Sequence, residues 1–311
     1  VSTIATPQDN PVINPDYDRS YDNYEITSEE GFLHPGILMN REELNIMRDM
    51  VWIGADPWSS VFAELQKSPY ASLDYKPDGP FETISSDRET YSLTRTSTAV
   101  YEQALMWYIT GNKEYADNAI QMMMDWADTM KKDEKEDHLR MGTSTQKFCA
   151  AAEIFRYTPS SGWTEENTEK LCAYLERVNP SVDKAFQYYN QGGYAMMAFM
   201  AKSIFMNRKA DYADAVERLA YNKEGGWKDG FNVNYSLSAM VFNSGQFVEM
   251  GRDQEHAWDD LGFMAMAVKQ TYVQGTKVDE KGNIVSAGGQ DLYEYENQKV
   301  LKAAAYWQRY C

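Results

Sequence analysis

The sequence predicts an all-α protein, an α/α toroid built as an incomplete α/α barrel of antiparallel helical hairpins. Three observations predict it. Apolar residues recur at helical spacing over most of the chain, and strand-like alternation is nearly absent. The gaps between periodic stretches are short and punctuated by Gly, Pro or Asn, so successive helices run antiparallel. No repeat of roughly 34 residues marks a solenoid. Instead, helices such as the one carrying Ala195-Met196-Met197-Ala198-Phe199-Met200-Ala201 are apolar on nearly all sides, as an inner ring covered by outer helices requires.

Taken in order, residues 1–35 are rich in Pro, Asn, Asp and Tyr without periodicity and read as an extended N-terminal arm, and residues 36–311 as the toroid domain. Asn40 with Glu43 forms a capping box ahead of Leu44, and Asp56-Pro57 offers an N-cap followed by proline at the first helical position. A hairpin follows, Thr96–Thr110 stopping at Gly111 and then Tyr115–Met130. Further helices are expected over Thr145–Tyr157, Thr164–Val178, Pro180–Tyr189, Tyr194–Phe205, Tyr212–Tyr221, Glu255–Val273 and Asn297–Tyr310. Between them, 222–247 is a long loop suited to lining a cleft. Trp58, Trp107 and Trp126 are expected in the core.

Composition narrows the function. With 311 residues, 43% hydrophobic and 14% aromatic, the chain can bury a large core as one globular body. No apolar run approaches the roughly 18 residues that would span a bilayer. The chain begins Val1-Ser2-Thr3 without a leader, so any secretion signal has been removed or was never present. A net charge of −17 argues against nucleic acid or an anionic membrane as partner. An anionic sugar chain is repelled at long range too, and binds only where a cluster of basic and amide groups acts within the roughly 10 Å that salt leaves unscreened. Cys149, Cys172 and Cys311 show no metal or redox spacing and read as buried thiols. His34, His138 and His256 lack the pairing of a helical zinc site, and Asp279 to Asn283 reads as a solvated turn, so no metal or other cofactor is implied.

Two segments offer such a cluster. Gly251-Arg252-Asp253-Gln254-Glu255-His256 gathers cation, amide and imidazole at one helix start. Asn190-Gln191-Gly192-Gly193-Tyr194 makes a second, where amides and exposed backbone N–H groups can hold a carboxylate. Equally, Asp253 can be a plain cap and Arg252 can pair with a surface acid. These groups lack the two carboxylic acids that glycoside hydrolysis needs and suit proton abstraction beside a neutralised carboxylate. A tyrosine near a cation can serve as base or acid, and the last helix carries Tyr306 two turns after Lys299. His138 and Arg140, in an acidic loop after Met130, either approach the same cleft or form a surface pair.

The runs His34-Pro35-Gly36-Ile37-Leu38, Ala151-Ala152-Glu153-Ile154-Phe155-Arg156-Tyr157, Asn190-Gln191-Gly192, Gly251 to His256, and Asp291-Leu292-Tyr293-Glu294-Tyr295 together resemble the alginate lyase superfamily. Polysaccharide lyase family 38, α/α toroids that degrade alginate or glucuronan, is the most similar. The resemblance spans residue 34 to the end. It implies that Asn190 and His256 hold or neutralise the uronate carboxylate and that Tyr306 is the catalytic tyrosine, with Lys299 where the family has arginine and Ala305 where it has glutamate. Lysine keeps the charge but loses the planar two-point grip on a carboxylate. The chain also stops at Cys311 where relatives continue, so an open ring or a truncated form is expected.

The expected function is therefore metal-independent β-elimination of a 1,4-linked polyuronate, outside the cytoplasm because the polymer is too large to enter cells. Catalysis falls to Tyr306, His256, Asn190 and Lys299, and substrate binding to Gln191, Arg252, Tyr194, His138 and Arg140. Two other classes fit the same chain. One is a toroid glycoside hydrolase using Asp253, Asp259 or Asp260, although adjacent helical residues point apart. The other is a glycan-binding protein that has lost catalysis.

Overall fold

Capping chemistry sets where the helices begin. The computed structural model describes residues 13–178, 189–222, 227–228, 231–232 and 235–310. The chain divides into two compact units, Val1–Lys135 with Lys147–Val178, and Glu136–Gln146 with Asn179–Cys311.

In the first unit, α1 (Arg41–Trp52) starts at the expected capping box, with Glu43 N–H donating to Asn40 Oδ1 at 2.9 Å and Asn40 N–H to Glu43 Oε2 at 3.2 Å. Helix α2 (Trp58–Leu65) starts one residue after Pro57. The expected Asp56 cap is displaced, yet its carboxylate still accepts from Ser60 N–H at 3.2 Å. Trp58 is 38% exposed on this short helix and is not core, unlike Trp107 and Trp126. Helix α3 (Asp87–Thr110) begins nine residues before the expected Thr96, at a second capping box made by Ser86 and Glu89. Its Thr-rich first half looks loop-like in sequence. In the helix, the hydroxyls of Thr90, Thr94, Thr96 and Thr98 each bond back to the carbonyl four residues earlier, which satisfies them without leaving the helix. Gly111, in the left-handed conformation at φ 70°, ends α3, and α4 (Lys113–Thr129) folds back along it.

Helix α5 (His138–Arg156) starts earlier than expected and takes in His138 and Arg140, so these residues occupy its first turn and not a loop. Its residues up to Gln146 belong to the second unit and the rest to the first. Helix α6 (Glu165–Val178) packs on α4. Cys149 is buried, whereas Cys172 is only half-buried. From residue 13 the arm lies on this unit: Asn14 N–H donates to Thr110 O at 2.7 Å, Tyr17 OH to Tyr108 O, and Asp22 receives Arg48 at 2.6 and 2.9 Å. Two-residue strands β1 (Ile26–Thr27) and β2 (Leu33–His34) pair antiparallel, and β3 (Thr83–Ile84) pairs parallel with β4 (Lys132–Asp133). The first two sequence motifs meet here. Glu153 receives the His34 ring at 2.9 Å and Gly36 N–H at 3.0 Å, while the His34 ring stacks on Tyr157.

The second unit is organised on α7 (Tyr189–Phe205), which is buried from Gly192 through Phe205 as its all-round apolar sequence predicts. Helices α8 (Lys209–Ala220) and α10 (Gln254–Val273) pack on it. Gly193 sets the approach of α10, since a Cβ there would meet the Phe263 ring at 2.4 Å. The short α9 (Leu237–Met240) and strands β5 (Trp227–Lys228) and β6 (Phe231–Asn232) interrupt the long loop. The turn at Asp279 is a hydrogen-bonded bend, its carboxylate accepting from Lys281 and Asn283. The final helix α11 (Tyr295–Tyr310) opens with three left-handed residues, Glu296, Asn297 and Gln298. Apart from Tyr189, the helix expected over Pro180–Tyr189 lies outside the described residues, as does Cys311. Among the described residues no helix is long and apolar enough to cross a membrane.

Candidate active site

All of the expected site residues fall in the second unit. Asn190 stands in the first turn of α7, 5% exposed, and donates from Nδ2 to Glu249 Oε2 at 3.2 Å. Glu249, also 5% exposed, lies in a one-turn 3-10 helix, Val248–Gly251, that leads into α10. Its other oxygen accepts from Arg252 Nη1 at 2.8 Å. Asp253 caps α10 by accepting His256 N–H at 2.8 Å, and the same carboxylate receives His256 Nδ1 at 2.8 Å. The His256 backbone N–H and then its imidazole hold Asp253 below the usual carboxylate range. With Nδ1 committed, Nε2 is the nitrogen left to face a ligand.

Asn190, Glu249, Arg252, Asp253 and His256 thus form one connected polar chain joining the starts of two helices, where partial positive charge favours anions. Asp253 is the expected cap, whereas Arg252 pairs with a buried acid rather than only with a surface one. Its side chain keeps 54% exposure.

A second group of acids lies on α10 within electrostatic reach of these residues. Asp260 is 0% exposed, and among the described residues neither carboxyl oxygen has a hydrogen-bond partner. Burial, reinforced by the charge of Glu249, pushes its pKa up to about 8, and the nearby Glu249 backbone N–H offsets only part of this. Asp260 is therefore a neutral acid at pH 7, sealed from any glycosidic oxygen. Asp259 is raised by burial and by Glu255, against the opposing charges of His256 and Arg140. Tyr194 is buried, its ring 5.9 Å from that of Phe263, and burial with Asp259 and Asp260 pushes its phenol well above the usual range. A phenol shifted this way holds its proton more firmly than a free tyrosine.

Gln191 is half-buried beside Asn190. His138 is buried, and Arg140 pairs with Asp137 at 2.6 Å while its charge reaches Asp259. Lys299 is 8% exposed, so it is not a surface lysine. Its Nζ donates to Ser238 O at 2.8 Å and meets Glu296 Oε2 at 2.5 Å, closing the left-handed turn that opens α11. Tyr306, half-buried, rests its ring 4.4 Å from that of Tyr310. The neighbouring Trp307 ring packs 5.9 Å from Trp258 on α10. No hydrogen bond joins Lys299 or Tyr306 to Asn190 or His256. Glu249 is the residue of this chain of contacts that the sequence motifs do not reveal, and Asp260, named from sequence only as a carboxylate of the hydrolase reading, is buried instead. The i, i+3 spacing of Glu249 and Arg252 was the available signal for the first, and nothing in the sequence marks Asp260 as unpartnered. Among the described residues no three His, Cys, Asp or Glu side chains could together hold a metal ion.

Comparison with known proteins agrees with this architecture. The alginate lyase family profile matches residues 55–231, more than half of the chain, while no curated protein matches it. Alginate lyase A1-III from Sphingomonas species A1 superposes with a TM-score of 0.61 at 13% identity, over 93% of this chain and 80% of that one. An alginate lyase from Bacteroides ovatus gives 0.57 at 12% identity, over 89% and 93%. A variant of the A1-III enzyme, solved in complex with a tetrasaccharide, gives 0.57 at 12% identity, over 94% and 79%. At these identities the likeness carries the fold, the α/α toroid class expected from the sequence. With the family profile, it makes this chain a polysaccharide lyase that belongs to the alginate lyase family.

Proposed function

We propose that the protein cleaves a 1,4-linked polyuronate, alginate or glucuronan, by metal-independent β-elimination, and that it belongs to polysaccharide lyase family 38. The observation that carries this is the polar chain from Asn190 to His256, which presents amide, guanidinium and imidazole groups at two helix starts. In the reaction a base removes the C5 proton, the electron pair forms the C4–C5 double bond, and the C4–O bond breaks as an acid protonates the departing oxygen. C5 is acidic enough only when the adjacent carboxylate is neutralised, the role of Asn190, Arg252 and His256. Gln191 and the Tyr194 hydroxyl add hydrogen bonds, and Arg140 and His138 flank them.

Tyr306 is the acid and base. For mannuronate or glucuronate, where the C5 proton and the C4 oxygen share a face, it serves in both roles. For guluronate His256 takes the proton and Tyr306 returns one to the oxygen. Lys299 holds the turn from which the Tyr306 helix springs. A polymer of this size is met outside the cytoplasm, so the protein acts in the periplasm or after secretion.

The test follows the unsaturated uronate by ultraviolet absorbance on polymannuronate, polyguluronate and glucuronan, with and without a chelator. The expected result is a chelator-resistant rise that disappears in Tyr306→Phe. A rise abolished by chelator overturns metal independence. A rise that persists in Tyr306→Phe moves the base elsewhere.

A further inference from the structure

We propose that Glu249 is the positioning residue of the uronate site: its carboxylate ties the Asn190 amide and the Arg252 guanidinium into one anion-binding surface. The proposal rests on the polyuronate reading of that site. Glu249 is buried, and each of its oxygens takes one donor, Oε2 from Asn190 and Oε1 from Arg252. These donors come from α7 and from the turn before α10, and Asn190 lies 59 residues before Glu249 in the chain.

Binding one amide hydrogen fixes which way Asn190 faces, because the flipped amide would set Oδ1 against a carboxylate. The half-exposed Arg252 guanidinium and the Asn190 amide then face an incoming uronate together. Without Glu249, Arg252 loses its 2.8 Å tie, and a substrate must supply more of the ordering itself.

The arrangement also needs Asp260 to stay neutral. The negative charge of Glu249 and burial both disfavour ionisation of Asp260. Glu249 has two donors, whereas among the described residues neither Asp260 carboxyl oxygen has a hydrogen-bond partner. The groups facing Asp260 are Asp259 on its own helix, Glu249 and Arg252 from the turn, and Tyr194 from α7. Raising pH through about 8 ionises Asp260, places a second negative charge near the anion site and weakens uronate binding.

The test measures kcat and KM on polymannuronate, or whichever polymer is cleaved, from pH 6 to 9 in wild type and Glu249→Gln, with thermal melts and calorimetric binding of an alginate tetrasaccharide. The expected wild-type KM rises on the alkaline side. Glu249→Gln keeps an acceptor for Asn190 but loses the charge that holds Arg252, so KM rises about tenfold with kcat changed less than about threefold, and the alkaline rise moves to lower pH because the Glu249 charge no longer opposes ionisation of Asp260. Arg252→Ala gives a similar KM, and the double variant is no worse than either, as a shared interaction requires. Unchanged KM in Glu249→Gln overturns the proposal, as does a fall in kcat that tracks a lowered melting temperature. Cleavage with an unaffected Glu249→Gln overturns the positioning role alone. Tetrasaccharide binding that weakens in Glu249→Gln, in a protein that cleaves nothing, overturns the lyase reading alone.

Discussion

The two units bury charge in opposite ways. In the first, buried charges are surrounded by partners: Arg48 donates to Asp22 and Asp49, Arg41 to Tyr24 O, Tyr108 OH, Thr158 Oγ1 and Tyr157 O, and Glu153 takes His34 and Gly36 N–H. In the second, Asp260 is buried and among the described residues its carboxyl oxygens have no hydrogen-bond partner, while the partners of Glu249 are the proposed substrate groups. A buried charge with every donor met holds the chain in place, whereas a buried acid left unmet costs stability and persists where something else needs it.

The largest effect that can break this comparison is loss of a partner in the first unit. Glu153→Ala removes the buried carboxylate that receives the His34 imidazole and Gly36 N–H and costs about 3–5 kcal/mol, read by urea denaturation. A loss below about 1 kcal/mol places Glu153 outside the scaffold and removes the contrast.

That buried pair also shows what the sequence could convey. The motifs containing His34 and Glu153 are legible as patterns, but only the fold shows that they are one contact between segments more than a hundred residues apart. Helix existence was legible from apolar spacing, and the Asn40 box was legible to the residue because capping is local. The start of α3 was not, because threonines that bond back into a helix look the same in sequence as threonines in a loop. In the site, the cap by Asp253 and the two helix starts were legible. The Glu249 bridge and the isolation of Asp260 were not, since both arise from long-range packing of α10 on α7.

Asp260→Asn tests the other side of the comparison, and its sign is opposite. The folded-state pKa of Asp260 lies near 8, above its unfolded value, so the native state holds a proton that the unfolded chain releases. Its favourable contribution is complete below about pH 4 and is lost as pH rises toward 8. An asparagine of the same shape has no proton to lose. The variant is therefore more stable than wild type at pH 7, by roughly 2 kcal/mol or a few degrees of Tm, with a gain that fades toward pH 4. Thermal melts across this range check it, and a variant less stable than wild type at pH 7 shows that Asp260 is ionised and paired.

Lys299 is the smallest test and the sharpest, because sequence and structure assign it to different sides. Its place in the motif sets it among catalytic groups, where arginine would grip a carboxylate better than lysine does. Its geometry sets it with the committed charges of the first unit: Nζ is buried, bonded to Ser238 O and held by Glu296, whose other oxygen receives the Ser238 hydroxyl. A charge already met by these acceptors has little left for substrate. Lys299→Arg is accordingly expected to change kcat/KM by less than about threefold on every uronate polymer. A gain of tenfold or more means that the guanidinium reaches past Glu296 to the uronate. In that case a fully partnered charge belongs to the site after all, and partner count alone does not separate scaffold from chemistry in this fold.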